Sequence, residues 1–277
     1  MTETPKRTSA KSAAASNEKP ELAESPDVRT AIITGLTFGP KVVQYAVVDG
    51  RGIFEGDIDL GTVEEIEKST AAFHGGGAET GSVIPGSHLR WLSGTVPYEI
   101  DLAMPDQQRV QDAIAHWEAN TVIQFVRRTP SNAASHPNFV RFIHGRGCFS
   151  AVGMRGGPQD ISVGMGSQSG HGIHQIGHAM GLWHEQSRED RDSFVTIHWQ
   201  NIRARLEHNF NQHVSDGDNV GPYDYGSIMH FEGRAFSRNG LETITSTNPN
   251  TAQLGQRLAL SQGDRDAITS MYGSRQR

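Results

Sequence analysis

The chain has 277 residues, enough for one large or two small domains, yet only 35% are hydrophobic, so part of it is expected to lie outside a packed core. A formal charge of −6 with no long basic run argues against nucleic acid or an anionic membrane as the main partner. The single cysteine, Cys148, excludes an intrachain disulfide and reads as a small buried hydrophobe rather than a reactive thiol.

From Met1 to Val28 the chain is rich in Ser, Ala, Glu, Lys and Pro and has no aromatic residue. Such a segment cannot bury enough surface to offset its ordering entropy, and residues 1–28 are expected to be a disordered tail. No apolar run approaches the length of a spanning helix, and the amino terminus lacks the apolar core of a secretory signal. The expectation is a cytoplasmic protein, one exported by another route, or one secreted after trimming.

Between Arg29 and Leu60, β-branched and aromatic residues alternate with Gly, Pro and Asp-Gly breaks, the pattern of short strands and turns. The Gly-rich run HGGGAETGS, residues 74–82, reads as an exposed connector open to proteolytic nicking. Beyond Ser82 the texture is globular. PDQQRVQDAIAHWEAN puts Val110, Ile114 and Trp117 on one helical face, and VIQFVRR, NFVRFIH and DISVGM read as strands. Near the end, Ser261 and Asp264 form a helix start, Ala267, Ile268 and Met271 its apolar face, and Gly273 its stop.

The stretch HQIGHAMGLWHEQSR, residues 174–188, carries the chemistry. His174 and His178 are four apart, so on a helix they project from one face and can grip one metal ion. Gly181 permits a positive φ that turns the backbone out of the helix and brings in His184 as third ligand. Three neutral imidazoles leave a tetrahedral zinc one open position, as catalysis requires. A bare histidine pair is more often a solvated face, but HxxxHxxGxxH with Met229 in a downstream SIMHF matches the metzincin pattern, where a methionine turn lies beneath the metal.

The extended motif HxxxHxxGxxHEQSREDRDSFVTIHWQNI and the run YDYGSIMHF resemble the signatures of the astacins, zinc metalloendopeptidases within the metzincins. The resemblance implies an α+β, astacin-like catalytic domain of two subdomains over residues 82–277, with a mixed, mostly parallel sheet and a zinc helix. Residues 29–81 would be an inhibitory prosegment and linker. It also implies one zinc ion, a peptide or protein substrate held extended on an edge strand, and a monomer with no nucleic-acid or membrane partner. In the family an FxGD motif lets an aspartate occupy the open zinc position in the precursor; here FEGD spans Phe54 to Asp57 and makes Asp57 the latent-form ligand. Cleavage near Gly81–Ser82 would release a new amino terminus that folds inward toward Glu185.

Three departures from the family bear on activity. Gln175 stands where the family has glutamate, the general base; an amide keeps the shape but cannot take the proton, a loss of about 10²–10⁴ in rate. Phe231 replaces a tyrosine that stabilises the oxyanion, a loss on the order of 10²–10³. Tyr223 and Tyr225 lie nearby in sequence, with no sign that either reaches the metal. The cysteine that usually partners the Cys148 position is absent from GMGSQSGHGI. Two accounts stay open: Gln175 is a substitution that keeps a self-activating precursor whole, or the chain is a natural pseudoprotease that binds zinc and peptides without cleaving them. The complete zinc motif and the prosegment favour the first.

Overall fold

The computed structural model of the chain describes residues 21–33, 40–74, 89–212, 219–251 and 254–273. Its first four strands, β1 (Val28–Ile33), β2 (Lys41–Val48), β3 (Arg51–Phe54) and β4 (Ile58–Thr62), form an antiparallel meander. The helix α1 (Val63–His74) follows, an element that the alternating pattern does not foretell. Its start is chemically marked: the Glu65 N–H donates to Thr62 Oγ1 and the Glu65 carboxylate accepts the Thr62 N–H, a capping box. Ile66 of α1 packs with Tyr45, Phe54 and Ile58 into a small core, which also takes in Val152 and Trp183 from later in the chain.

The chain beyond residue 88 supplies five more strands: β5 (Thr95–Ile100), β6 (Gln124–Arg127), β7 (Phe139–Ile143), β8 (Phe149–Ser150) and β9 (Pro158–Ser162). Among these five, β6, β5, β7 and β9 run parallel and β8 antiparallel to β9, which gives the mixed, mostly parallel sheet expected. β4 pairs parallel with β8, so the first four strands and the later five share one nine-stranded sheet in the order β1-β2-β3-β4-β8-β9-β7-β5-β6.

The helix α2 (Gln108–Asn120) buries Val110, Ala113, Ile114 and Trp117, the face its spacing predicts, against α3 (Ser169–Met180). Trp117 Nε1 donates to Ile173 O at 3.0 Å, so the largest side chain of α2 is satisfied as well as buried. The described residues of 185–212, 219–251 and 254–259 make an irregular half of short turns and, among them, one two-stranded ribbon, β10 (Val195–Ile197) with β11 (Ile244–Ser246). Its separate core is aromatic: Phe210, Tyr223, Phe231 and Phe236. The helix α4 (Gln262–Tyr272) starts in the predicted Ser261–Asp264 capping box, buries Ile268 in the first core, and ends at Gly273.

The tail expectation drawn to Val28 takes in too much of the chain. Residues 1–20 lie outside the described residues, but from Glu21 onward the chain is packed. The Ala23 N–H donates to Gly56 O at 2.7 Å, Leu22 sits on the aromatic core, and Glu21 and Glu24 pair with Arg257 and Arg203. Two carboxylates and an apolar side chain find partners far along the chain that composition alone does not reveal. The cleavage region near Gly81–Ser82 lies outside the described residues. Among the described residues, no helix is long and apolar enough to cross a membrane.

Candidate metal centre

α3 ends at Gly181, whose φ of 108° is left-handed, and its N–H closes the helix on His178 O at 2.8 Å. The turn that follows brings His184 to His174 and His178: ring centroids are 4.8 Å apart for His174–His178, 4.7 Å for His178–His184 and 5.5 Å for His174–His184. From the other side comes the FEGD turn, in which Glu55 and Gly56 are both left-handed, at φ 49° and 81°. A Cβ on Gly56 would also lie 2.6 Å from the Phe236 ring, so glycine is required twice over. The turn points Asp57 into the three rings, with Oδ2 2.9 Å from His174 Nε2 and Oδ1 3.0 Å from His184 Nε2 and 3.5 Å from His178 Nε2.

All four side chains are buried, and one donor atom from each lies within 4.8 Å of the others. Yet Asp57 Oδ1, His178 Nε2 and His184 Nε2 have no hydrogen-bond partner. Polar atoms that approach closely without hydrogen-bond geometry have the arrangement of ligands around a shared cation, and three nitrogens with one oxygen suit zinc. Electrostatics agree: burial alone would raise the Asp57 carboxyl, but His184 and His178 outweigh it and hold it well below the usual carboxylate range. Burial, aided by the Arg257 charge, carries His174 down to about 4. It opposes a charge on His184 too, but Asp57 and Glu55 outweigh it and bring that imidazole to about 9.

The remaining expected residues fall around this cluster. Gln175 is fully buried and its Nε2 donates to Asp57 Oδ2 at 3.0 Å, while its Oε1 has no partner. Met229 lies beneath α3 against Gly177, where an added Cβ would come within 2.6 Å of its sulfur. The Phe231 ring is 4.6 Å from His184, and its N–H donates to Gln186 Oε1. Neither nearby tyrosine offers a replacement hydroxyl: Tyr223 pairs with His230 Nε2 and Tyr225 donates to Phe194 O.

Glu185 turns away from the metal cluster. Its carboxylate accepts the Asp224 N–H at 2.7 Å and meets Arg188, and it lines an open cavity of 310 Å³ with Trp183, Asp224 and Met271. Burial pushes its carboxyl up to about 7 in spite of those partners.

Three contributors escape a reading of the sequence. Glu55 bonds His184, and Arg257 donates to Ile228 O and His230 O, the backbone of the methionine turn. Asp264, recognised only as a cap, also accepts from Ser227 Oγ and the Ile228 N–H. A capping motif signals one use of that carboxylate; nothing local signals the second. Where the family's bridge is missing, Cys148 Sγ lies 3.0 Å from Ser167 Oγ, and burial pushes the thiol up to about 11.

Comparison with known proteins bears directly on this geometry. Residues 84–273 match the family model Astacin, which describes a family of peptidases. The chain is 34% identical over 261 residues to Protein SpAN of Strongylocentrotus purpuratus, covering 90% of this chain and 42% of that protein. It is 41% identical over 192 residues to Blastula protease 10 of Paracentrotus lividus, covering 66% of this chain and 32% of that protein, so it spans less than half the length of these relatives. Its fold is similar to that of High choriolytic enzyme 1, a hatching enzyme zinc-protease from Oryzias latipes, with a TM-score of 0.60 and 37% identity over 67% of this chain and 94% of that one.

Proposed function

The chain belongs to the astacin family of zinc metalloendopeptidases, and on that premise we propose that it is a latent precursor whose own prosegment closes the metal site. His174, His178 and His184 would hold the one zinc ion, joined by Asp57 in the latent form. The observation that carries this reading is the set of partnerless atoms, Asp57 Oδ1, His178 Nε2 and His184 Nε2, converging in a wholly buried pocket. When bound, zinc supplies a Lewis acid that polarises the scissile carbonyl and makes water nucleophilic near neutral pH.

The chain's own residues account for latency and for weak chemistry. Asp57 fills the position the attacking water needs, and β4 lies along β8, the edge strand that an extended peptide substrate would otherwise pair with. Cleavage near Gly81–Ser82 frees that edge, and the new ammonium enters the cavity beside Glu185, whose carboxyl, raised by burial, becomes an anion once a cation lies next to it. Gln175 occupies the place of the general base; its amide donates to Asp57 and cannot accept a proton, so the chain as written lacks about 10²–10⁴ in rate. Met229 supports the helix from below.

Phe231 favours a second reading, a natural pseudoprotease that binds zinc and peptides without cleaving them, because one inactivating change makes another unnecessary. The test is Gln175→Glu, with the intact mass of the zinc-loaded chain followed over time. Self-shortening near residue 82 is the expected result. A zinc-loaded variant with its prosegment removed that cleaves no peptide would decide for the pseudoprotease.

A further inference from the structure

We infer that the prosegment helps to build the zinc site as well as blocking it: Glu55 is a positioning residue for His184, so the latent chain binds zinc more tightly than the processed one. The inference rests on the reading that His174, His178, His184 and Asp57 hold the ion. An imidazole offers one nitrogen to a metal only while its other nitrogen keeps a hydrogen, and a buried N–H needs an acceptor. His174 Nδ1 lies 2.7 Å from Ile228 O and His178 Nδ1 lies 2.9 Å from Leu182 O. Both carbonyls belong to the peptidase domain and stay in place whatever happens to the prosegment.

His184 differs. Its Nδ1 lies 2.7 Å from Glu55 Oε2, and the other oxygen of that carboxylate accepts a hydrogen bond from Ser187 Oγ at 2.9 Å. The third ligand is therefore oriented by a side chain that departs on activation. A carboxylate is also a stronger acceptor than a carbonyl and makes the metal-facing Nε2 of His184 a better donor. The backbone accepts an unfavourable conformation to place it, since Glu55 is a non-glycine residue at φ 49°.

Glu55 and Asp57 are both fully buried. One left-handed turn delivers both carboxylates, Asp57 to the metal and Glu55 to the metal's third ligand, so one cleavage event removes both.

The test is zinc affinity of the full-length chain by chelator competition, with the visible spectrum of the cobalt(II)-loaded protein as a second readout. Glu55→Ala is expected to lower zinc affinity about 10–100-fold, with Glu55→Gln, which keeps an oxygen acceptor, falling between it and the parent. Both variants are expected to shift the cobalt bands, which a merely structural role would leave unchanged. Should Glu55→Ala not fold, Glu55→Gln decides alone. Folded variants with parental zinc affinity and parental cobalt spectra would overturn the role of Glu55 while leaving the ligand set standing, provided that His184→Ala loses zinc. If the parent binds no stoichiometric zinc, or His184→Ala binds it as well as the parent does, the ligand set itself fails and this inference falls with it.

Discussion

The sheet-and-helix half and the irregular half are held together by different means. In the first, α2 and α3 interlock through Val110, Ala113, Trp117 and Ile176, apolar side chains recurring at helical spacing. In the second, no long element sets a period among the described residues. Turns are fixed one at a time by side chains reaching backbone groups: Gln186 to the Phe231 N–H, Arg257 to two carbonyls, Asp264 to the Ile228 N–H. The aromatic rings of Phe210, Phe231 and Phe236 fill what remains. Regular elements make a rigid core; a mosaic of turns makes one that can readjust.

That contrast can be broken by truncation. Trp117→Ala leaves a hole between two helices that cannot close and abandons the Ile173 carbonyl, so a loss of about 3–5 kcal/mol in unfolding free energy is expected from denaturant titration. Phe236→Ala, equally buried but surrounded by turns, should fall at or below the low end of that range because its surroundings can collapse. Equal losses would refute the difference in rigidity.

The chemistry divides along the same line, with Gln175 on α3 and Phe231 in the irregular half. In a processed Gln175→Glu chain, adding Phe231→Tyr is expected to raise kcat for a peptide by about 10²–10³, with little change in KM. An unchanged kcat would mean that the hydroxyl cannot reach the reacting carbonyl from this ring position.

Ser167→Cys sharpens the comparison from the rigid side. Its sulfur would fall close to that of Cys148, and an oxidised bridge enclosing about twenty residues should add roughly 3 kcal/mol, seen as a higher melting temperature that reductant abolishes. A bridge that forms but adds nothing would show that this half is already as constrained as a crosslink can make it.

The smallest effect concerns the strap of residues 21–24 across the irregular half. Burial alone would raise the Glu21 carboxyl, but Arg257, with His174 and His171 beside it, outweighs burial and holds it below the ordinary glutamate value. A depressed acid contributes stability above its unfolded value and loses it as pH falls through the folded one. Protection of the Ala23 amide, which bonds Gly56 O, from hydrogen exchange, taken relative to its intrinsic rate at each pH, should therefore be high at neutral pH and fall on acidification below the ordinary glutamate range. In Glu21→Gln that amide should already exchange fast at neutral pH.

The same division governs what could be read from residues alone. The faces of α2 and α4, the turn at Gly181 and the triad of histidines are local patterns, with spacings of three, four or six residues. FEGD, a contiguous motif, points to Asp57 only through the family resemblance, since the four residues alone read as a turn. By contrast, Glu55 meets His184 across 129 positions, Arg257 meets Glu21 across 236, and no period connects such pairs. The helix α1 lies between these cases: the Thr62–Glu65 box is present, but its apolar face is short and is completed by Tyr45 from β2.

The shared nine-stranded sheet has one more consequence. On the proposed cleavage, departure of the first four strands would leave β8, only two residues long, as an unpaired border of the remaining sheet. So brief a border would offer too few backbone groups for neighbouring molecules to zip together, yet enough to set the register of a single incoming chain, and the proposed release would not make the domain self-adhesive.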